Sequence, residues 1–229
     1  MSDVLSTIYA ERSFEQSPLD LSSMLEKIQS RLTKWRQSLP HHLDLDPLKP
    51  GSTFPPPHVL SLHAMYHVLV ILLHRPFVAD GHLYSALRAV SVNSFLACAK
   101  AASSIVGLLR AYDTAFSVSR APYLISYATY VAATIHVRIA AKRRHDSTIF
   151  SNLETCLAVF NENESTNWAV KRANTVIRSL MKRMDVVVDE GDDGPHIHIG
   201  ARRATNPSHD RDDDSAALLQ SPLGLDENG

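Results

Sequence analysis

The chain has 229 residues, 45% of them apolar and 21% charged, with a formal net charge of −1. That length allows one or two domains, and the apolar share is that of a chain with a real core. So neutral a balance excludes a free-standing DNA binder held by bulk positive charge, and two cysteines with no CxxC pair exclude a cysteine-built structural zinc site.

The neutrality hides an asymmetry. Residues 1–184 carry 20 Lys/Arg against 13 Asp/Glu, a surplus of +7, while residues 185–229 carry 3 against 11, a deficit of −8. The layout is a mildly basic body with an acidic tail, read either as an interaction segment or as solvated surface. Cys98 and Cys156 each sit in an apolar pattern, which predicts buried free thiols in a reducing compartment. The polar N-terminus, MSDVLSTIYAERSFEQ, lacks the basic start and apolar run of a secretory signal.

Val4–Tyr9 reads as the end of a helix. Leu19–Leu39 is the first clear one. Leu25, Ile28, Leu32, Trp35 and Leu39 recur at spacings of three and four, with Lys27, Arg31, Lys34 and Arg36 off that stripe. Asp20, Ser22 and Ser23 are candidate caps, Glu26 completes a capping box, and Pro40 stops the helix. Residues 41–57 are a connector, too dense in proline for a regular element.

His58–Phe77, HVLSLHAMYHVLVILLHRPF, is apolar on every side and bracketed by Pro55-Pro56-Pro57 and Pro76. Such a helix runs roughly 30 Å and belongs at the centre of a fold or in a bilayer. Its apolar run, Val59–Leu73, falls short of the roughly 20 residues of a membrane span and contains His63 and His67, so a core helix is expected. A turn follows over Val78–Leu83, with Asp80-Gly81 in its middle.

Tyr84 or Asn93 to Tyr112 is the next helix, capped by Asn93 or Ser94. Leu96, Ala99, Lys100, Ser103, Val106 and Arg110 lie along one side, and its many Ala and Ser residues allow close approach. Pro122–Ala141 follows, with Leu124, Ala128, Val131, Ile135 and Ile139 on one stripe and Tyr123, Tyr127 and Tyr130 on a line beside it. Ser147–Phe160 is a shorter helix with Leu153, Cys156, Leu157 and Phe160 inward. A last helix, capped by Ser165, Thr166 or Asn167, runs to Met184 with Trp168, Val170, Ala173, Ile177, Leu180, Met181 and Met184 as its apolar set. Residues 190–229 are poor in apolar groups and predicted disordered. Only Val186–Val188 hints at a strand.

The fold class expected is therefore all-α: an irregular antiparallel array of about six helices around a central buried helix, residues 58–75, with a disordered C-terminal tail.

Two constellations carry possible chemistry. His63, His67 and His74 fall within about 40° of one another on a helical projection. His63 and His67 have the i, i+4 spacing that lets two imidazoles share a metal, so they are the metal candidates. The wider His63/His67/His74 face is the candidate for a metal or haem pocket. Against this, Ala64 stands where a zinc-protease helix needs Glu, and the helix holds no Asp or Glu. The competing reading is a polar seam whose rings bond to neighbouring carbonyls and hydroxyls. Lys142, Arg143 and Arg144 form a possible basic patch for nucleic acid, which a helix C-terminus explains equally. No GxSxG, Walker loop or buried carboxylate pair is present, so no enzyme is expected and no catalytic or cofactor-binding residue is assigned.

The run LHAMYHVLVILLHRPF, residues 62–77, resembles a signature in the middle regulatory domain of fungal binuclear zinc cluster transcription factors, the fungal-specific transcription factor domain. Trp35, Leu39-Pro40 and Leu43 resemble the helix and stop that precede it. Cys98, Ala101-Ala102 and Ile105 resemble the helix that follows. Residues 122–133 and 168–184 resemble the last two. The pattern, covering roughly residues 4–184, is nitrate-assimilation-regulator-like.

The resemblance implies an all-helical regulatory domain in a nuclear activator or repressor, here the C-terminal half of that domain. Residues 1–186 are then a partial helical regulatory domain, and 187–229 a disordered acidic tail. The family's zinc cluster, basic linker and coiled coil do not occur in this sequence, so no cofactor and no DNA-binding residue is carried over. The expected chain is truncated. Its expected partners are other regulatory proteins or the missing half of the domain, with DNA only indirect, no membrane, and a homo-oligomer through exposed apolar surface.

Overall fold

The computed structural model describes residues 18–45, 55–78, 88–164 and 167–188. Among them there are six α-helices and no strand: α1 Pro18–Gln37, α2 Pro57–His74, α3 Arg88–Phe116, α4 Tyr123–Lys142, α5 Ser147–Asn163 and α6 Trp168–Arg183. Short 3₁₀ turns follow α1 (His41–Leu43), α2 (Arg75–Phe77) and α3 (Val118–Arg120). The all-α expectation holds. The expected helix over Val4–Tyr9, most of the turn at 78–83 and the tail from residue 189 lie outside the described residues.

Proline sets several ends. Pro57 opens α2, where a missing N–H costs nothing. Pro122 is the N-cap of α4, one residue before its expected first turn. Pro76 does not end the chain's helical course at once, because it sits in the 3₁₀ turn that extends α2. At α6 the expected cap is Asn167, whose side chain accepts from the Ala169 N–H at 3.0 Å. The other end of α6 closes on a left-handed residue, Asp185, at φ 53°. The N–H of Asp185 reaches the Lys182 carbonyl at 3.3 Å and that of Val186 the Met181 carbonyl at 3.0 Å, a Schellman closure. Val186 is buried there, and the stretch Val186–Val188 is not a strand.

Two caps read from the sequence fall inside helices. α1 starts at Pro18, upstream of Ser22 and Ser23, and α3 starts at Arg88, upstream of Asn93 and Ser94. Ser94 is buried and its hydroxyl is taken by His74, so it has no free side chain for capping.

α2 is buried as expected, with Leu60, Ala64, Val68 and Ile71 fully enclosed. It shares the centre with α4, which packs against α2, α3, α5 and α6, whereas α2 packs against α1, α3 and α4. Small residues explain the sharing: Ala128, Ala132, Ala133 and Ala140 on α4 let several helices approach closely. α1 rests on a smaller cluster formed by Leu21, Leu25, Ile28, Leu73 and Phe77.

Among the described residues, three helical stretches are long and apolar enough to cross a membrane: Pro57–Phe77, Val90–Phe116 and Tyr123–Lys142. Length therefore does not exclude a span at α2, which with its 3₁₀ turn runs 21 residues. All three pack against one another within the bundle.

Some apolar residues assigned inward are exposed. Trp168 is 75% exposed, and Leu96 and Leu124 are also turned outward. Trp168 and Leu124 lie in the first turns of α6 and α4, and Leu96, which the sequence placed only along one side of α3, lies off that helix's buried face. The buried face of α3 instead runs through Cys98, Ala101, Ala102, Ile105, Leu108, Leu109 and Tyr112.

Candidate functional site

His63, His67 and His74 of α2 share a helix face but not a partner. His63 is buried and its Nε2 donates to the Leu43 carbonyl at 2.8 Å, tying the turn after α1 to the core. A carbonyl only accepts, which fixes the Nε2–H tautomer. His74 is buried between two helices. Its Nε2 lies 3.2 Å from Gln29 Oε1 on α1 and its Nδ1 3.1 Å from Ser94 Oγ on α3. With Nε2 donating to the amide oxygen, Nδ1 accepts from the serine. His67 is half-buried and sits edge-on to the Tyr66 ring at 5.2 Å.

Burial holds His67 well below the ordinary imidazole range, at about 4, helped by the positive Arg36 and by His63 and Lys100. Burial alone does the same for His74, also to about 4. Neutral rings can ligate a metal, but ligation also needs convergence. Among the described residues no three His, Cys, Asp or Glu side chains come together as a metal site. His63 would have to leave Leu43 for its Nε2 to ligate anything. The geometry is that of a seam fastening α1, its following turn and α3 to α2.

Aromatic contacts reinforce that seam. Trp35 stacks on Tyr66 with centroids 6.1 Å apart, and the Arg36 guanidinium lies 5.2 Å from the same ring. A polar groove of about 500 Å³ opens beside it, lined by Gln29, Thr33 and Lys34 of α1 and by His74, Asn93 and Ser94.

The basic patch is occupied from within. Lys142 Nζ lies 5.5 Å from the Phe95 ring centroid. Arg143 pairs with Asp146 at 3.8 Å, and Arg144 with Asp185 at 2.9 Å. All three basic residues are exposed, and their charge also favours the C-terminal end of α4.

Sequence reasoning missed two polar features of the core. Arg110 of α3 donates to Ser151, Asn152 and Thr155 of α5 at 3.4, 3.2 and 3.1 Å, pinning the two helices. His136 of α4 is 0% exposed, and no side chain hydrogen-bonds to its ring. Burial pushes it down to about 4, and nearby Arg110 adds to this, while the Ala102 backbone opposes it less strongly. Set in the run IHVRIAA, His136 gives no sequence signal beyond a polar residue in an apolar helix.

The thiols are also inert by position. Cys98 and Cys156 are free and buried, and burial pushes both up to about 12. A thiol reagent at pH 8 is expected to label neither in the native protein and both in denaturant. Prompt labelling of the native chain would mean that α3 or α5 opens readily.

Over 113 residues, 49% of its length, the chain is 32% identical to the nitrogen assimilation transcription factor nirA of Emericella nidulans. Over 113 residues it is 31% identical to the nitrogen assimilation transcription factor nit-4 of Neurospora crassa. The matched segment is 12% and 10% of the length of these relatives. The chain thus spans only a small part of the curated proteins it matches. The resemblance to fungal transcription factors read from the sequence is matched by these two. No family model matches the chain, and no solved structure does.

Proposed function

We propose that this chain is a regulatory piece of a fungal transcription factor, acting in the nucleus on RNA polymerase II transcription through protein contacts or by sensing an effector. The observation that carries the reading is the 113-residue similarity to two nitrogen assimilation transcription factors. The all-helical architecture agrees with what the resemblance implies. The described residues support a scaffold role: the α2 histidines serve as fasteners and the two thiols are buried. Catalysis has no place in this proposal, and DNA is contacted only through other proteins or other segments. Membrane attachment has no place in it either, because the three long apolar helices bury their apolar sides against one another.

Residues 1–186 form the partial regulatory domain in this reading, and the acidic segment beyond is its tail. Exposed Trp168, Tyr123 and Val187 are contact points for regulatory partners, for the rest of the domain or for a second copy.

The test is to join the full chain to an unrelated DNA-binding module in a filamentous fungus and read a reporter. Transcription is expected to rise or fall about five-fold or more against the module alone, a range that modest coupling energies supply. A reporter that does not move, with the fusion shown to be nuclear and intact, would remove the proposal.

A further inference from the structure

α4 and α6 meet along unlike ladders. On α4, Tyr123, Tyr127 and Tyr130 repeat at four and three residues, and on α6, Ala169, Ala173 and Val176 do the same. Residues at these spacings share one helix face. Large rings therefore oppose small side chains, and a slot of about 260 Å³ is left between them. Tyr123 and Tyr127 stand nearly parallel, centroids 6.2 Å apart and 15° between planes, which gives the slot flat aromatic walls. Tyr123 is 62% exposed at its mouth, and Tyr127 and Tyr130 are half-buried further along.

Two polar groups line the slot. Arg172 is exposed at the rim. Ser126, only 5% exposed, has a hydroxyl with no hydrogen-bond partner. That hydroxyl breaks a local habit. Thr129 on α4, and Thr175 and Ser179 on α6, each donate to the carbonyl four residues back at 2.9, 3.0 and 2.8 Å. Ser126 makes no such bond. A buried hydroxyl left unpaired costs on the order of a lost hydrogen bond, and a bound group can relieve it.

We propose that the slot between α4 and α6 binds a small planar aromatic carboxylate. The ring lies among the tyrosine rings and the alanine methyls, the carboxylate meets Arg172, and the Ser126 hydroxyl turns toward the bound molecule. Ring stacking suits the parallel tyrosines. A guanidinium suits a carboxylate better than any neutral polar group. The volume admits one or two fused rings and falls just below the range of drug-sized pockets. As an effector site this deepens the proposed function and rests on that reading for its biological role. Binding itself is measured on the purified chain, so a failed titration leaves the transcription test standing, and the reverse holds too.

The probe is 2-naphthoate, titrated into the full-length chain by calorimetry and by the emission of Trp168, the neighbour of Ala169. Saturable binding is expected with Kd of roughly 10–100 μM, within reach of a ligand of about 13 heavy atoms. Arg172→Gln changes only an exposed side chain and is expected to weaken binding about five-fold or more, as is exchanging naphthoate for neutral 2-naphthamide. Ala173→Phe fills the slot and is expected to abolish binding, with a thermal melt of the variant confirming that it folds. No saturation up to millimolar naphthoate would overturn the assignment. So would undiminished binding to folded Ala173→Phe, or equal affinity for the amide, which would remove the role of Arg172.

Discussion

Lowering the pH from 7 to 5 is expected to remove a large part of the stability of this fold. His67, His74 and His136 are each held near 4 by burial, while an unfolded chain takes up their protons near 6.5. Between those values the unfolded state binds more protons than the folded one, so stability is full above about pH 6.5 and falls as the pH drops toward 4. At pH 5 the loss is about 2 kcal/mol for each ring, on the order of 6 kcal/mol for three. A domain of this size is stable by only about 5–15 kcal/mol.

The three rings are not equal. A second proton on His74 goes to Nδ1 and meets Ser94 Oγ, which can turn to accept it. His136 meets no side-chain acceptor, only the Ala102 backbone. Replacing His136 with Leu, close to it in volume and apolar, should therefore hold the fold to lower pH than the native chain. Thermal melts followed by circular dichroism at pH 7, 6 and 5 decide this. Equal melting temperatures at pH 7 and 5 would show that the rings are not buried neutral. A His136→Leu variant as acid-labile as the parent would shift the burden to His67 and His74.

Ile71→Ala is expected to cost about 2–5 kcal/mol, enough to unfold a marginal domain at 37 °C. Ile71 is fully enclosed on α2, and its backbone carbonyl lies 3.8 Å from the Cys98 thiol on α3. The tight α2–α3 contact leaves little room for neighbours to collapse into the void. Leu69, on the same helix, is only partly buried, so Leu69→Ala should cost markedly less. Urea titrations of both variants give the comparison. Equal losses, or a loss under about 1 kcal/mol at Ile71, would mean that α2 is not the enclosed helix of this fold.

The helices were legible because their apolar spacing is local. α2 was expected over 58–75 and runs over Pro57–His74. The last helix was expected through Met184 and ends at Arg183. What failed depended on distant residues. Ser94 has the chemistry of a cap, but its partner is His74, on another helix. Trp168 continues the apolar pattern of α6, but in the first turn of that helix the buried place is taken by Val170, and Trp168 is exposed.

The histidine seam shows the same limit. Spacing placed His63, His67 and His74 on one side of a helix and could go no further. Leu43 is 20 residues from His63, and Gln29 is 45 from His74. Only the folded chain reveals that His63 and His74 each have their own fastening. The tyrosine line on α4 was visible in the sequence, but the facing ladder of small residues came from a helix some 40 residues on. No periodicity within either helix announces the space between them.

The closure of α6 fixes a launching point. Asp185, held in its left-handed turn, grips Arg144, and Val186 is tucked into the core beneath it. The segment that carries 11 of the chain's 24 acidic residues therefore sets out from beside its cluster of three consecutive cations, Lys142-Arg143-Arg144. An anion seeking Arg144 must first displace Asp185, which already holds it at 2.9 Å. Both side chains of that pair are exposed, so it weakens as ionic strength rises.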